Sequence, residues 1–352
     1  MSEQKPLTIV SNRGPAEFGR NEATGERTVR RGGGGLVTAL SGLVSHRHAL
    51  WIASAMTDED QVVANESDGA TPMELDDVTY EVMMVSHDPA AYDRFYNVIA
   101  NPILWFIQHY LWDLSNAPDI RRAEIEAWDH GYKAINQDIA DAVVGAIEGQ
   151  EEPLVMFHDY HLYTCPGAVR LARPDAFLHH FVHIPWSQPD SWRILPGNWR
   201  EEIYRGLLAN DIIGFHTAAY CRNFLHCCQE LLDLDVDHSR GAVFHEGRET
   251  WVRAYPLSID VQRLYNAAAS EEVAEYEAEV LRRRRDHLII RVDRADLSKN
   301  VLRGFTAFDT FLEQHPEFRE KVTFIAHLQP SRQDVPEYAE YLERIEALVA
   351  VV

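Results

Sequence analysis

The sequence predicts an α/β protein built around open, doubly wound parallel sheets and divided into two domains. Its 352 residues correspond to about two domains of roughly 150 residues each. Short apolar runs recur along the chain, and a pattern of helical period follows each of them. Polar side chains stand directly after these runs, where parallel sheets bind their ligands. The chain is therefore expected to bind a ligand along one sheet edge.

Six apolar runs have the length and the continuous hydrophobicity of buried parallel strands. They are LTIVSN at 7–12, LVMFHD at 154–159, FLHHFVHI at 177–184, DIIGFH at 211–216, HLIIRVD at 287–293 and VTFIAHL at 322–328. The segment 270–285 is predicted as one helix, because acidic residues crowd its start and arginines its end, as the helix dipole favours. A Pro-containing turn at 254–260 marks the boundary between domains at 1–255 and 261–352.

The charge balance excludes several classes of partner. Asp and Glu outnumber Lys and Arg by 55 to 33, which gives a net charge of −22. A surface this acidic repels nucleic acid and anionic lipid, so neither nucleic acid nor a membrane is expected as a partner. The four cysteines show no C-x-x-C spacing, and no apolar stretch approaches the ~18 residues of a membrane span. We expect a reduced, cytoplasmic protein whose phosphate sites are local pockets.

Two segments carry groups suited to a phosphate. Gly32–Gly35 precede a helical pattern, and glycines let backbone N–H groups approach an anion at a helix N-terminus. A glycine-rich turn without a ligand is equally compatible with that run. Arg294 and Lys299 follow the strand at 287–293, and Lys299 is one of only four lysines. Two cations at this spacing can close on a diphosphate leaving group, whereas the plainer interpretation is ordinary surface charge.

The 17 histidines raise the question of a metal site, because several of them cluster at 158–183. In a strand, alternate side chains face opposite sides, so His179 and His183 share a face while His180 points away. No carboxylate–histidine spacing recurs nearby, so the sequence predicts no metal site. Asp159 and His183 are better suited to hydrogen bonding with sugar hydroxyls.

Eight ordered blocks, taken together, closely resemble the trehalose-6-phosphate synthase family. They are SNRGP, GGGGL, YNVIANPILW, HDYHL, HIPW, WRILP, RVDRADLSKN and PSRQD, and they span nearly the whole chain. The resemblance implies a retaining glycosyltransferase with two facing Rossmann-like domains of the GT-B type and with no metal or other cofactor. It implies small-molecule substrates, namely UDP-glucose or GDP-glucose as donor and glucose 6-phosphate as acceptor, and trehalose 6-phosphate as product.

The resemblance also implies roles for individual residues. The acceptor would be held by Arg13, Trp51, Tyr96, Trp105 and Arg332, with Arg13 and Arg332 on its phosphate. Asp159 and His183 would contact sugar hydroxyls at the reacting centre. The donor and its diphosphate would be served by Gly34, Gly35, Arg294 and Lys299. Fixed cations suit this chemistry, because negative charge builds on the departing diphosphate while positive charge builds on the anomeric carbon.

One departure from the family concerns the second domain. In the family it continues beyond PSRQD to a D-G-M-N-L-x-x-x-E type block, which the 352 residues do not contain. We therefore expect this domain to be incomplete, the chain to be a poor or inactive catalyst, and exposed apolar surface to favour a homo-oligomer. Two other interpretations stay open. One is a related transferase of the glucosylglycerol-phosphate or validoxylamine-phosphate synthase type, and the other is a truncated, non-catalytic synthase-like protein that binds or regulates.

Overall fold

A computed structural model describes residues 6–32, 36, 37, 40, 49–67, 69–75, 78–111 and 120–351. The chain divides into two compact units, Met1–Leu257 and Ser258–Val352. Within the described residues, no helix is both long enough and apolar enough to cross a bilayer.

The first unit is centred on a ten-stranded sheet. The strands of the chain are β1 (Leu7–Ser11), β2 (Ala16–Arg20), β3 (Arg27–Arg31), β4 (Ala49–Ser54), β5 (Thr71–Leu75), β6 (Val78–Val85), β7 (Leu154–His158), β8 (Phe177–Val182), β9 (Ile212–Phe215), β10 (Asp235–Asp237), β11 (Ala242–His245), β12 (Arg248–Ala254), β13 (His287–Arg294) and β14 (Val322–Gln329). The sheet order is β10-β11-β12-β9-β8-β7-β1-β4-β6-β5. The strands from β12 to β6 in this order run parallel, so their carboxyl ends meet at one edge.

The α-helices whose full length the structure describes are distributed over both units. They are α1 (Asp58–Glu66), α2 (Pro89–Asp93), α3 (Phe106–Gln108), α4 (Arg122–Ala127), α5 (Lys133–Ala146), α6 (Cys165–Ala172), α7 (Pro189–Trp192), α8 (Gly197–Leu208), α9 (Ala218–Leu232), α10 (Val261–Ala268), α11 (Glu271–Arg283), α12 (Val301–Gln314) and α13 (Pro336–Val349). Every residue of β1 is buried, which explains its continuous apolar sequence. The six predicted strands and the helix predicted at 270–285 are confirmed, the latter as α11.

Two π-helical segments pack against each other beside the sheet. They are Arg94–Trp105, which contains Pro102, and Trp128–Tyr132. A proline has no N–H to donate within a helix, and a wider helical turn is one way to accommodate it. At Gly131 a Cβ atom would lie 2.6 Å from the Cβ of Arg94, so only glycine allows the two segments to approach this closely. The first segment thereby holds its aromatic side chains near the carboxyl edge of the sheet.

The second unit contains a two-stranded parallel sheet. Its strands pair in register from His287 with Val322 to Arg294 with Gln329. A small core forms between this sheet and α12 and α13, from Ala295, Val301, Phe305, Tyr341 and Ile345. On β13 the side chains of Ile290 and Val292 are exposed. The predicted exposed apolar surface is therefore present on this strand.

Asp211 connects three segments of the first unit. Its carboxylate accepts hydrogen bonds from Arg170 Nη2 at 2.7 Å, Arg248 Nη2 at 2.8 Å and the Leu178 backbone N–H at 2.8 Å. Arg170 is largely buried, so removing the counter-charge leaves a cation in a poorly solvated place. We expect Asp211→Asn to lower the free energy of unfolding in urea by about 1–3 kcal/mol.

The matched control is Asp190→Asn, because the Asp190 carboxylate is 89% exposed and also pairs with an arginine. Exposed pairs contribute little, so this variant should unfold at the wild-type urea concentration. Equal unfolding midpoints for Asp211→Asn and Asp190→Asn would contradict the bridging role.

Candidate functional site

The loop after β1 is held by hydrogen bonds that begin at Trp51. The Trp51 indole N–H donates to Ser11 Oγ at 2.7 Å, and Ser11 Oγ donates to the Arg13 carbonyl at 2.6 Å. Trp51 itself is 1% exposed and packs in the core with Leu7 and Ile9. The structure therefore places Trp51 in the core, where it supports the Arg13 loop through Ser11. Its predicted contact with the acceptor stays a prediction.

Arg13 and Tyr96 meet at the carboxyl end of β1, as the sequence predicts. The Arg13 guanidinium is hydrogen-bonded to the Tyr96 hydroxyl and lies 3.4 Å from Glu17 Oε1. Burial alone would lower the pKa of Arg13, but Tyr96 and Glu17 outweigh it and raise the pKa above its ordinary value. With 44% of its side chain exposed, Arg13 is a permanent cation that a phosphate can reach.

Four rings form a stack behind this cation, which we call the aromatic ladder: His87, Tyr92, Tyr96 and His161. Successive ring centroids are 5.8, 5.9 and 5.9 Å apart, and the interplanar angles are 17°, 9° and 10°. Asn12 Nδ2 donates to the Tyr92 hydroxyl at 3.2 Å. His87 bridges Ser54 Oγ at 3.1 Å and Asp138 Oδ2 at 2.9 Å. The ladder therefore fixes the plane of Tyr96, the ring that holds Arg13.

Trp105, which the sequence predicts at the acceptor, lies among buried side chains in this structure. It is 3% exposed and stacks on His109 at a centroid distance of 3.9 Å. Its ring packs inside the first unit, so in this structure it offers no open face to a sugar. The π-helical path of Arg94–Trp105 turns Tyr96 toward Arg13 while it leaves Trp105 among buried side chains.

Asp159 and His183, predicted to act together, lie together after β7 and β8. The His183 backbone N–H donates to Asp159 Oδ1 at 3.2 Å, and the Asp159 N–H donates to the Phe181 carbonyl at 2.8 Å. Asp159 has a φ of 70°, which is uncommon for a residue other than glycine. Such a conformation persists where surrounding contacts hold it, and it is frequent at functional sites.

The ring of His183 faces the buried ring of His158. His183 Nε2 and His158 Nδ1 are 3.0 Å apart. Burial, followed by the neighbouring His216 and His180, lowers the pKa of His183 to about 3. Burial and the neighbouring histidines also hold the pKa of His158 well below its ordinary value. Both rings are therefore neutral at physiological pH.

The remaining histidines of β8 follow the predicted alternation. His179 and His183 both contact Phe181, at centroid distances of 6.4 and 4.6 Å, whereas His180 Nε2 donates to the Asp159 carbonyl at 3.0 Å. Among the residues that the structure describes, no group of three or more His, Cys, Asp or Glu side chains is arranged to hold a metal ion.

The second unit places its predicted cations at the carboxyl edge of its own sheet. Arg294 ends β13 and lies 3.5 Å from Asp296, whose other oxygen accepts from the Ser298 N–H at 2.9 Å. Lys299 closes the following 3₁₀ turn and is exposed. Arg332, three residues beyond β14, donates to the Tyr338 hydroxyl and lies over its ring at 5.3 Å. A buried carboxylate thus anchors the turn that presents Arg294 and Lys299.

The glycine run is described only at its first residue. The Gly32 N–H donates to the Pro15 carbonyl at 2.8 Å, and a Cβ at Gly32 would lie 2.4 Å from the Gly14 carbonyl oxygen. Glycine is therefore required where the run meets the Arg13 loop. The predicted donor residues Gly34 and Gly35 lie outside the described residues.

Comparison with known proteins identifies the family. The model of glycosyltransferase family 20 matches residues 5–352. The chain belongs to glycosyltransferase family 20. A family relative, the UDP-forming alpha,alpha-trehalose-phosphate synthase of Schizosaccharomyces pombe, is 33% identical over 360 residues, which cover 99% of this chain and 65% of that protein. The validamine 7-phosphate valienyltransferase of Streptomyces hygroscopicus subsp. jinggangensis is 32% identical over 350 residues, covering 98% of this chain and 68% of that protein.

Solved structures of family 20 proteins share the fold. An E. coli structure named as bound with UDP-2-fluoro glucose has a TM-score of 0.77 and 23% identity, over 97% of this chain and 69% of that one. A Burkholderia xenovorans synthase in complex with glucose-6-phosphate has a TM-score of 0.76 and 24% identity, over 98% and 70%. The predicted α/β fold class of the GT-B type is confirmed. The chain thus spans about two thirds of the length of these family 20 proteins.

Three residues that contact the candidate site were not predicted from the sequence. His87 follows β6, Tyr92 lies in α2, and His216 follows β9, where its ring centroid lies 5.6 Å from that of His183. The rule that polar residues after parallel strands approach the ligand could have found both histidines. No comparable signal marks Tyr92, whose place in the aromatic ladder depends on tertiary packing.

Proposed function

We propose that this chain transfers glucose from UDP-glucose to the anomeric hydroxyl of glucose 6-phosphate, with retention, and releases trehalose 6-phosphate and UDP. The observation that carries the proposal is the Arg13–Tyr96 pair, held by the aromatic ladder at the same sheet edge as Asp159 and His183. In a chain of net charge −22, an exposed arginine fixed in this way is a local site for a phosphate monoester.

The reaction needs little chemistry from the protein beyond positioning and charge. The bond between the glucose anomeric carbon and the diphosphate oxygen breaks, and a bond from the acceptor hydroxyl oxygen forms on the same face. The acceptor proton passes to an oxygen of the departing diphosphate. Arg294 and Lys299 would stabilise the negative charge of this leaving group, while Asp159 and His183 would hold sugar hydroxyls. Because the acceptor attacks directly on the face that the diphosphate leaves, no carboxylate nucleophile is required, and because the leaving group takes the proton, no separate base is required.

The identity of the donor is supported by the names of the relatives. The Schizosaccharomyces pombe relative is named as UDP-forming, and the E. coli structure as bound with UDP-2-fluoro glucose. We test this by incubating the chain with glucose 6-phosphate and either UDP-glucose or GDP-glucose, followed by mass spectrometry of the products. UDP-glucose should give the faster formation of trehalose 6-phosphate. Preferential use of GDP-glucose would overturn the donor assignment.

A second candidate function is transfer to another phosphorylated acceptor. The 32% identity to a validamine 7-phosphate valienyltransferase favours it, because Arg13 would recognise the phosphate of either acceptor. Parallel reactions with glucose 6-phosphate, glycerol 3-phosphate and validamine 7-phosphate separate the candidates by product mass. A third candidate is a non-catalytic binding protein. In that case glucose 6-phosphate should bind, but none of the reactions should form a product.

We propose that transfer requires no divalent metal, since Arg294 and Lys299 supply the positive charge on the leaving diphosphate. Treatment with EDTA, followed by buffer exchange, is therefore expected to leave the rate of trehalose 6-phosphate formation unchanged. The rate is measured before treatment, after treatment and after adding Mg²⁺ back. A clear loss of activity with EDTA that Mg²⁺ restores would contradict the proposal and would favour a metal site among the histidines at 158–183.

A further inference from the structure

His158 and His183 share one hydrogen bond between two neutral rings. His158 Nδ1 and His183 Nε2 are 3.0 Å apart, so one of these atoms carries the proton and the other accepts it. Two arrangements satisfy this bond. Either His158 Nδ1–H donates to His183, or His183 Nε2–H donates to His158.

The burial of His158 discriminates between the two arrangements. His158 is 2% exposed, and its Nε2 has neither solvent contact nor a hydrogen-bond partner among the described residues. If His183 donated, the neutral His158 ring would carry its proton on Nε2, which would then be a buried N–H without an acceptor. If His158 donates, Nε2 is only an unused lone pair. Orphaned buried donors are rarer in native proteins than unused acceptors, so the arrangement in which His158 donates to His183 is favoured.

We propose that His158 is a positioning residue that donates from Nδ1 to His183 Nε2 and thereby fixes His183 as its Nδ1–H tautomer. The partly exposed His183 ring then offers a hydrogen-bond donor to an oxygen of the ligand. Its backbone is held as well, because its N–H donates to Asp159 Oδ1 at 3.2 Å. The identity of that ligand as a sugar rests on the proposed function, whereas the tautomer does not.

The tautomer has a consequence for the direction of proton transfer. In the Nδ1–H tautomer, the lone pair of His183 Nε2 accepts the hydrogen bond from His158, and His183 Nδ1 already carries a proton. His183 therefore has no lone pair left with which to accept the acceptor's proton as a general base. The proton must pass elsewhere, and the oxygen of the departing diphosphate is the acceptor that the proposed reaction supplies.

The first test is nuclear magnetic resonance of the ligand-free 352-residue chain labelled with ¹⁵N-histidine. The ring nitrogen shifts distinguish protonated from unprotonated nitrogens, and coupling across the N–H···N bond identifies its donor and acceptor. The His158 and His183 signals are assigned by their loss in single variants. We expect protonated Nδ1 and unprotonated Nε2 on both rings. Protonated Nε2 on His183 would overturn the proposal, and because no substrate is present, failure of the transfer reaction cannot produce that result.

The second test compares two replacements of His158. His158→Asn keeps an N–H donor at the position of Nδ1 and should preserve the His183 tautomer. His158→Asp offers only an acceptor, so His183 should move its proton to Nε2. Transfer by His158→Asp should then fall roughly 10- to 100-fold below that of His158→Asn, the usual cost of losing the group that orients a histidine.

His179→Asn is the matched control, because His179 is a buried neighbour on β8 that makes no hydrogen bond to His183. It should leave the His183 tautomer unchanged, and circular dichroism of all three variants checks the fold. Equal tautomers and equal rates in His158→Asn and His158→Asp would show that His158 fills space only, and would overturn the proposal.

Discussion

Replacing Arg13 with alanine is expected to abolish the rise in melting temperature that glucose 6-phosphate produces in the wild-type chain. A ligand at 100 times its Kd stabilises the folded state by about 2.7 kcal/mol. Arg13 is the exposed cation that Tyr96 and the aromatic ladder hold at the carboxyl edge of the sheet. Without it, the phosphate would enter the field of a strongly acidic chain and lose this charge-assisted contact. Thermal shift and calorimetry measure the loss.

The control for this variant is Arg122→Ala, because the Arg122 side chain is 92% exposed and pairs with Glu126 within α4. It removes the same charge from the first unit without touching the Arg13 loop. The rise in melting temperature should survive in Arg122→Ala. Equal affinity of wild type and Arg13→Ala for glucose 6-phosphate, measured by calorimetry, would reject the acceptor assignment.

Replacing Lys299 with alanine should lower the turnover of trehalose 6-phosphate formation by roughly 10²-fold or more, the usual loss when one preorganised group that stabilises transition-state charge is removed. The turn that carries Lys299 is anchored by Asp296, which is fully buried. The cation is therefore presented by a fixed backbone, and in the proposed reaction it would interact most strongly with the diphosphate as negative charge develops there. The affinity for glucose 6-phosphate should stay unchanged, since Arg13 supplies that contact.

Lys321→Ala provides the matched control for Lys299, because Lys321 is an exposed lysine of the same unit, at the start of β14. Its turnover should equal that of the wild type. Wild-type turnover by Lys299→Ala, with circular dichroism showing an intact fold, would exclude a role on the leaving group.

Four of the six predicted strands, β1 and β7 to β9, are largely buried, and such strands are continuously apolar; their register follows from the parallel pairing. The same apolar pattern predicted β13 and β14, although β13 is largely exposed. The hairpin of β2 and β3 was not predicted, because its charged and apolar residues are mixed and form no continuous apolar run. Its position also depends on tertiary structure, since Asp60 accepts a hydrogen bond from the Phe18 N–H at 2.8 Å. β4 was not predicted either, although its apolar run ALWIAS is typical of a buried strand and could have predicted it.

The residues of the candidate site that directly follow parallel strands could be predicted from the sequence. Arg13, Asp159 and His183 each follow a parallel strand, so the carboxyl-edge rule places them together. The two tryptophans were not predictable, because a large ring that packs in a core and one that packs on a sugar have the same sequence signature. Trp105 also depends on the π-helical turns around Pro102, and a proline in sequence ordinarily indicates the end of a helix.

The central claim is that this family 20 chain joins glucose from UDP-glucose to glucose 6-phosphate. The most direct measurement is to incubate the purified 352-residue chain with both substrates and to identify the products by mass spectrometry and by the anomeric proton signals. We predict trehalose 6-phosphate with both anomeric centres in the α configuration, formed slowly together with equimolar UDP, and formed roughly 10²-fold more slowly by Lys299→Ala. A folded chain that binds glucose 6-phosphate but yields no trehalose 6-phosphate would contradict the claim.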